Sequence, residues 1–187
     1  MDIMLELMKH SVLEGERILL RPVGLADAAD MFEYASDEET TRFVFERHLD
    51  LAMTEEAIAN YFMAAPAGKY AIVVKDTKKM IGTIDIRPNP ADRIAEIGYT
   101  LNKVYRGKGY MTEAGKLITA LAFGVLGMEK VFAMHDILNP ASGEVMKRLG
   151  MQQEGVLRKH KVLKGRNCDM VYYGILKEEH FHQASEA

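Results

Sequence analysis

A chain of 187 residues with 48% apolar content is long enough for one well-buried core and short for two. Its net charge of -3, with 27% charged residues, lacks the basic excess of a nucleic-acid binder, so none is expected as a partner. No run approaches the roughly 20 apolar residues that span a bilayer, and the one cysteine, Cys168, excludes an internal disulfide and suits a reducing, cytoplasmic setting.

The first residues, Met1 to Lys9, carry acids where a secretory signal carries cations, and no small-residue cleavage site follows. Residues 1–15 read as an N-terminal extension, 16–178 as one domain and 179–187 as a C-terminal tail. His180 and His182 in that tail lack a third ligand, so no metal is expected. Arg17 to Arg21 is a first strand, stopped by Pro22, which cannot donate to a ladder. Asp27 to Ala35 reads as a helix, and Thr54 as the N-cap of a second, Glu55 to Ala65, closed by Pro66. Tyr70 to Lys75 and Met80 to Arg87 are rich in branched residues and flank Asp76-Thr77-Lys78-Lys79, which predicts an antiparallel hairpin.

A loop at Pro88 to Asp92 leads into an apolar strand, Ile94 to Leu101, and then into Tyr105-Arg106-Gly107-Lys108-Gly109-Tyr110. Two glycines two apart allow a tight turn and close approach of backbone N-H groups to a ligand, in a concavity that a helix N-terminus completes. Behind it Tyr110, Ala114, Leu117, Ile118, Leu121, Ala122 and Val125 recur at helical spacing, and Gly127 supplies the stop. Val131 to Asp136 is the next strand. Asn139 and Pro140 then open a helix that ends at Gly150, and strands from Gln152 to Leu163 and from Asn167 to Leu176 make a terminal hairpin about Lys164-Gly165-Arg166. The exposed hairpin leaves room for a homodimer.

Strand, glycine loop and helix in this order bind nucleotides in several designs. A dinucleotide fingerprint needs a third glycine where this chain has Thr112, which weakens a Rossmann oxidoreductase as a reading. A Walker loop fails outright: the Gly-Lys pairs at 68, 107 and 115 are followed by Tyr, Gly and Leu.

Arg106-Gly107-Lys108-Gly109-Tyr110-Met111 resembles the [R/Q]-x-x-G-x-[G/A] signature of the GNAT superfamily of N-acetyltransferases, with Met111 at the place of the small residue. Together with Ala95-Glu96-Ile97-Gly98-Tyr99-Thr100-Leu101, the run is most similar to the branch containing the ribosomal-protein N-terminal acetyltransferases. The resemblance covers roughly Glu16 to Leu176. It implies an α/β fold with a mixed, mostly antiparallel twisted sheet of six to seven strands flanked by helices and splayed between strands four and five. It also implies acetyl-CoA as co-substrate, its pyrophosphate on the main chain of Arg106, Gly107, Lys108, Gly109, Tyr110 and Met111. The pantetheine arm would meet free backbone groups of Tyr99, Thr100 and Leu101, and also Asn139 and Ser142 of the family's N-x-x-S element.

Moving acetyl from a thioester to an amine needs a base, a polarised carbonyl and a route for the departing thiolate. Glu96 is the expected base, on the strand just before the cradle, where Ile94 and Gly98 share its face and suggest an apolar setting. The alternative is a strand glutamate facing solvent or paired with a basic neighbour. Ser142 is the expected partner of the leaving sulfur, while Asn139 and Ser142 also fit a plain helix start. His135 is a lesser candidate base, and the helix after Asn139 has no tyrosine to serve as the acid. In a fold of this kind residues 37–48, with Asp37, Glu38, Glu39, Phe43 and Phe45, would wall the acceptor site, where acids could attract a cationic amine and the two aromatics could frame it; the alternative is a solvated loop over two core aromatics. The expected acceptor is a primary amine, a protein N-terminus or a polyamine-like molecule. A coenzyme A-binding module without turnover is the competing reading.

Overall fold

Alternation along one strand shows how the sheet divides the molecule. In β3 (Lys69–Val74), Tyr70, Ile72 and Val74 join one buried cluster, while Ala71 and Val73 join a second on the opposite face. The computed structural model describes residues 1–185. The other strands are β1 (Leu13–Glu14), β2 (Ile18–Arg21), β4 (Met80–Asn89), β5 (Ile94–Leu101), β6 (Lys130–Asp136), β7 (Gln152–Leu163) and β8 (Arg166–Leu176). They form one sheet in the order β1-β2-β3-β4-β5-β6-β8-β7.

Every neighbouring pair is antiparallel except β5 and β6. That parallel pair holds for three positions only, Ile94 with Lys130, Ala95 with Val131 and Glu96 with Phe132. Beyond Glu96 the strands part: β5 stays on β4 as far as Leu101, and β6 stays on β8 as far as Asp136. The expected splay is therefore present, displaced by one strand number because Leu13–Glu14 adds an eighth strand. Two residues are too few to show alternation, so the sequence count of six to seven missed it.

The larger cluster packs α5 (Tyr110–Gly124) and α6 (Pro140–Arg148) on one face, together with Leu7 of α1 (Ile3–Lys9). Ala114, Ile118, Leu121 and Ala122 of α5 are all buried, as their spacing predicts. The smaller cluster packs Ala28, Met31 and Tyr34 of α2 (Ala28–Ala35), with Ile58, on Ala71, Val73 and Met80. α4 (Leu51–Ala57) starts three residues before the expected cap, because Asp50 accepts from Met53 N at 2.8 Å, and it runs on into a π-helical turn, Ile58–Met63. Thr54 is buried instead, its hydroxyl 2.8 Å from His48 Nδ1.

Both ends are tied to the domain. The Tyr70 hydroxyl donates to the His10 carbonyl at 3.0 Å, and Leu176 N donates to Glu179 of α7 (Lys177–Ser185) at 2.9 Å. Among the described residues no helix is long and apolar enough to cross a membrane.

Candidate active site

The sheet's open edge begins where β6 leaves β5. Residues 97–101 keep β4 on one side and have no strand on the other, which leaves alternate backbone groups of Tyr99, Thr100 and Leu101 facing the gap. The chain then turns through a 3-10 segment, Lys103–Tyr105, into the glycine loop. Gly107 and Gly109 adopt φ of +73° and +83°, a left-handed backbone that costs any other residue about 1–2 kcal/mol. Gly109 occupies the N-cap of α5 and no side chain caps the helix, so its first N-H groups remain available to an anion. A diphosphate fits these residues.

Arg17 braces the loop from β2's side. Its Nη1 donates to the Lys108 carbonyl at 2.9 Å, its Nε to Glu113 Oε2 at 2.9 Å, and its guanidinium lies 4.8 Å from the Tyr110 ring centroid. A Cβ on Gly109 would stand 3.2 Å from Arg17 Nη2. Met111 is buried in the larger core, so its side chain points away from the cradle. Arg106 donates to Glu39 at 2.9 Å and Lys103 to Asp37 at 2.5 Å. The acids expected at the acceptor wall thus neutralise cations beside the cradle. Lys103, helped by Thr40, holds the Asp37 carboxyl down at about 2. Lys108 Nζ lies 5.3 Å from the Tyr105 ring centroid.

A cavity of about 810 Å³ passes through the splay, for its lining comes from both faces of the sheet. Tyr99, Asn139, Ser142 and Met146 line it on the α6 face; Met31, Tyr34, Tyr61, Asp85, Arg87 and Glu96 line it on the α2 face. Phe43, Phe45 and His48 also line the cavity.

The floor is charged. β4 and β5 pair with Arg87 opposite Glu96 and Asp85 opposite Gly98, which brings four residues of period-two spacing onto one face. Arg87 Nη2 lies 3.0 Å from Glu96 Oε1, its Nη1 bonds Asp85, and the Tyr61 hydroxyl donates to Asp85 Oδ2 at 3.0 Å. Gly98 makes the room: a Cβ there would meet Asp85 Oδ1 at 2.7 Å and Arg87 Nη1 at 3.0 Å. Glu96 therefore faces a guanidinium, not the apolar setting expected from Ile94 and Gly98. Burial opposes the Arg87 charge, but Asp85 and Glu96 outweigh it and raise the pKa. Burial and the neighbouring Asp85 likewise raise that of Tyr61.

Across the sheet, Ser142 Oγ donates to the Tyr99 hydroxyl at 3.0 Å, and that hydroxyl donates to the Ser142 carbonyl at 2.8 Å. Burial pushes the Tyr99 phenol well above its usual range, so it stays protonated. Pro140 holds the first helical position, while Asn139 stands at the N-cap without a side-chain cap bond. His135 donates Nδ1 to the Asp136 carbonyl at 2.7 Å.

Sequence reasoning missed Asp85, Arg87 and Tyr61 at the floor and Arg17 and Glu113 at the loop. The first two were within reach, since Asp-x-Arg and Glu-x-Gly on hairpin partners share a face once the register is known. Arg17 and Glu113 lie 96 residues apart in the chain, and no local pattern joins them. Among the described residues no three His, Cys, Asp or Glu side chains gather as metal ligands.

A sheet parted between two parallel strands, with an uncapped helix start at one lip and a cavity through the gap, is the frame of an enzyme that holds an anionic co-substrate beside a second substrate. The family model for the acetyltransferase (GNAT) domain matches residues 17–152, and the chain belongs to that family of N-acetyltransferases, whose enzymes use acetyl-CoA as co-substrate. It is 30% identical over 173 residues to an uncharacterised N-acetyltransferase, p20, of Bacillus licheniformis, covering 90% of this chain and 97% of that one. Over 88 residues, 47% of this chain and 48% of the relative, it is 36% identical to YdaF of Bacillus subtilis, a candidate ribosomal N-acetyltransferase. The crystal structure of a GNAT-family acetyltransferase from Bacillus anthracis matches the fold with a TM-score of 0.81 at 24% identity, covering 89% of this chain and 99% of that one.

Proposed function

We propose that this enzyme transfers acetyl from acetyl-CoA to a primary amine by direct attack of the amine in a ternary complex. The observation that carries this reading is the through-sheet cavity, which joins a carboxylate floor on one face to the Tyr99 and Ser142 hydroxyls on the other. Acetyl-CoA, when bound, supplies the thioester carbonyl. The cradle of Arg106, Gly107, Lys108, Gly109, Tyr110 and Met111 offers main-chain N-H groups for its diphosphate. Backbone N-H groups among Tyr99, Thr100 and Leu101 polarise the carbonyl, and Asn139 meets the pantetheine amide.

Glu96 takes the ammonium proton, directly or through water, as the new N-C bond forms and the C-S bond breaks. Arg87 orients Glu96 through Oε1. Ser142, hydrogen-bonded to Tyr99, returns a proton to the thiolate. The Tyr99 phenol, kept neutral by burial, accepts from Ser142 Oγ and so positions that hydroxyl. A protein N-terminus is the favoured acceptor, supported by the partial match to YdaF.

Glu96→Gln tests the assignment. We expect turnover at neutral pH to fall by about 10²–10⁴-fold, the usual worth of a positioned base, with acetyl-CoA affinity near wild type. Unchanged turnover across the pH range would remove Glu96 as the base.

A further inference from the structure

Beside the through-sheet cavity lies a second depression of about 280 Å³, lined by Arg42, Phe43, Leu138, Leu163, Lys164 and Arg166. Phe43 is a wall of both. Half of the lining residues are cations and none is an acid. The turn between β7 and β8, with φ of +50° at Lys164 and +72° at Gly165, swings Lys164 across to α3 (Glu38–Thr41), where its Nζ donates to the Thr41 carbonyl at 3.2 Å. Arg42 lies with its guanidinium 5.1 Å from the Phe43 ring centroid. Arg166 bonds Asp136, but Arg42 and Lys164 have no carboxylate partner among the described residues.

Nothing in the acetyl-transfer scheme uses these charges. They stand over the apolar surface of Phe43, Leu138 and Leu163, which lowers the local dielectric and strengthens attraction to an anion. Farther along β7, His160 and Lys161 line the main cavity itself, and Lys161 has no ion pair among the described residues. The acids lining the same cavity are Glu46, Asp85, Glu96 and Asp136.

We propose that the depression between Arg42, Lys164 and Arg166 is an anion subsite of the acceptor, so that the amine acetylated by this enzyme belongs to a molecule carrying carboxylate or phosphate groups. This rests on the acetyl-transfer reading above. The amine enters the main cavity toward Glu96 while the anionic part stays outside Phe43, against Arg42 and Lys164. A polyamine brings the wrong sign to this rim, and complementary charge governs which partner docks and how fast.

The test uses the full chain, acetyl-CoA and thiol release as the readout. The acceptors are two peptides with the same free N-terminal residue, followed by glutamates in one and alanines in the other, with phosphoethanolamine, ethanolamine and spermidine beside them. Wild type is expected to favour the glutamate peptide in kcat/KM by at least roughly tenfold, a preference that rising salt erodes. Preference for phosphoethanolamine over ethanolamine without a peptide preference would assign the subsite to small phosphorylated amines. The double substitution Arg42→Glu and Lys164→Glu is expected to abolish the preference while leaving the acetyl-CoA Kd unchanged. Equal kcat/KM for charged and neutral members of both pairs, or a preference that survives the reversal, overturns the proposal. So does a parallel loss of acetyl-CoA affinity, which would give the cations to the co-substrate.

If no amine releases thiol, the acetyl-transfer reading fails separately. Calorimetry of the glutamate peptide then decides: binding lost in the double variant supports the subsite, and no binding to wild type rejects it. Lys164→Ala, at an exposed turn, replaces the double variant if that fails to fold.

Discussion

Asp37 is a small example of how one side chain is spent twice. It caps α3, accepting from Thr40 N at 2.8 Å, and it pairs with Lys103 beside the glycine loop. Its folded pKa of about 2 lies below the ordinary value of roughly 3.9, so the pair's contribution is complete above about pH 4 and disappears as the pH falls toward 2. Solvent and salt weaken it, since Lys103 is largely exposed. Asp37→Asn should keep most of the cap and flatten the acid limb of the stability curve between about pH 4 and 2, as followed by urea unfolding. An unchanged acid limb would show that Asp37 is not so held. Side chains of this kind explain what the sequence concealed. The acids around Asp37 read either as a lure for an amine or as a solvated loop, because charge has no address until the fold supplies neighbours, and the neighbours are Lys103 and Arg106. Glu96 is the parallel case, since its own strand predicts an apolar setting and the cross-strand Arg87 supplies an ionic one.

At the scale of elements, the glycine loop and α5 were legible because backbone chemistry was written in the residue types. Gly107 and Gly109 both adopt the left-handed backbone that glycine favours, and the apolar spacing behind them is the buried face of α5. Gly109→Val combines a strained φ with a side chain driven against Arg17. Acetyl-CoA affinity in this variant should drop by at least roughly tenfold by calorimetry, the equivalent of the 1–2 kcal/mol conformational cost. Retained affinity would contradict the cradle. Where sequence and structure part at this scale, the cause is local competition: Asp50 outbids Thr54 as the cap of α4, and the π-helical turn after it turns Tyr61 toward Asp85.

The whole molecule is a sheet with a separate core on each face, and the two cores carry different duties. Ile118 is fully buried on the α5 face and touches no part of the cavity, so Ile118→Ala should cost about 2–5 kcal/mol and lower Tm by roughly 5–15 °C, with acceptor KM unchanged in the folded fraction. Met31, on the other face, is both core and cavity wall, so Met31→Ala should lower Tm and also change acceptor KM. Equal effects of the two substitutions on KM would deny the division. The sequence by itself determined seven of the eight strands and the glycine loop, because periodicity and glycine spacing are properties of neighbours along the chain, and the motif resemblance added the acetyltransferase family. Only the tertiary structure decided that Arg87 faces Glu96, that Arg17 reaches Lys108, and that Arg42 and Lys164 share one depression. Those are distances between residues far apart in the chain, and they follow from strand register and the turn of the last hairpin, which the local pattern does not encode.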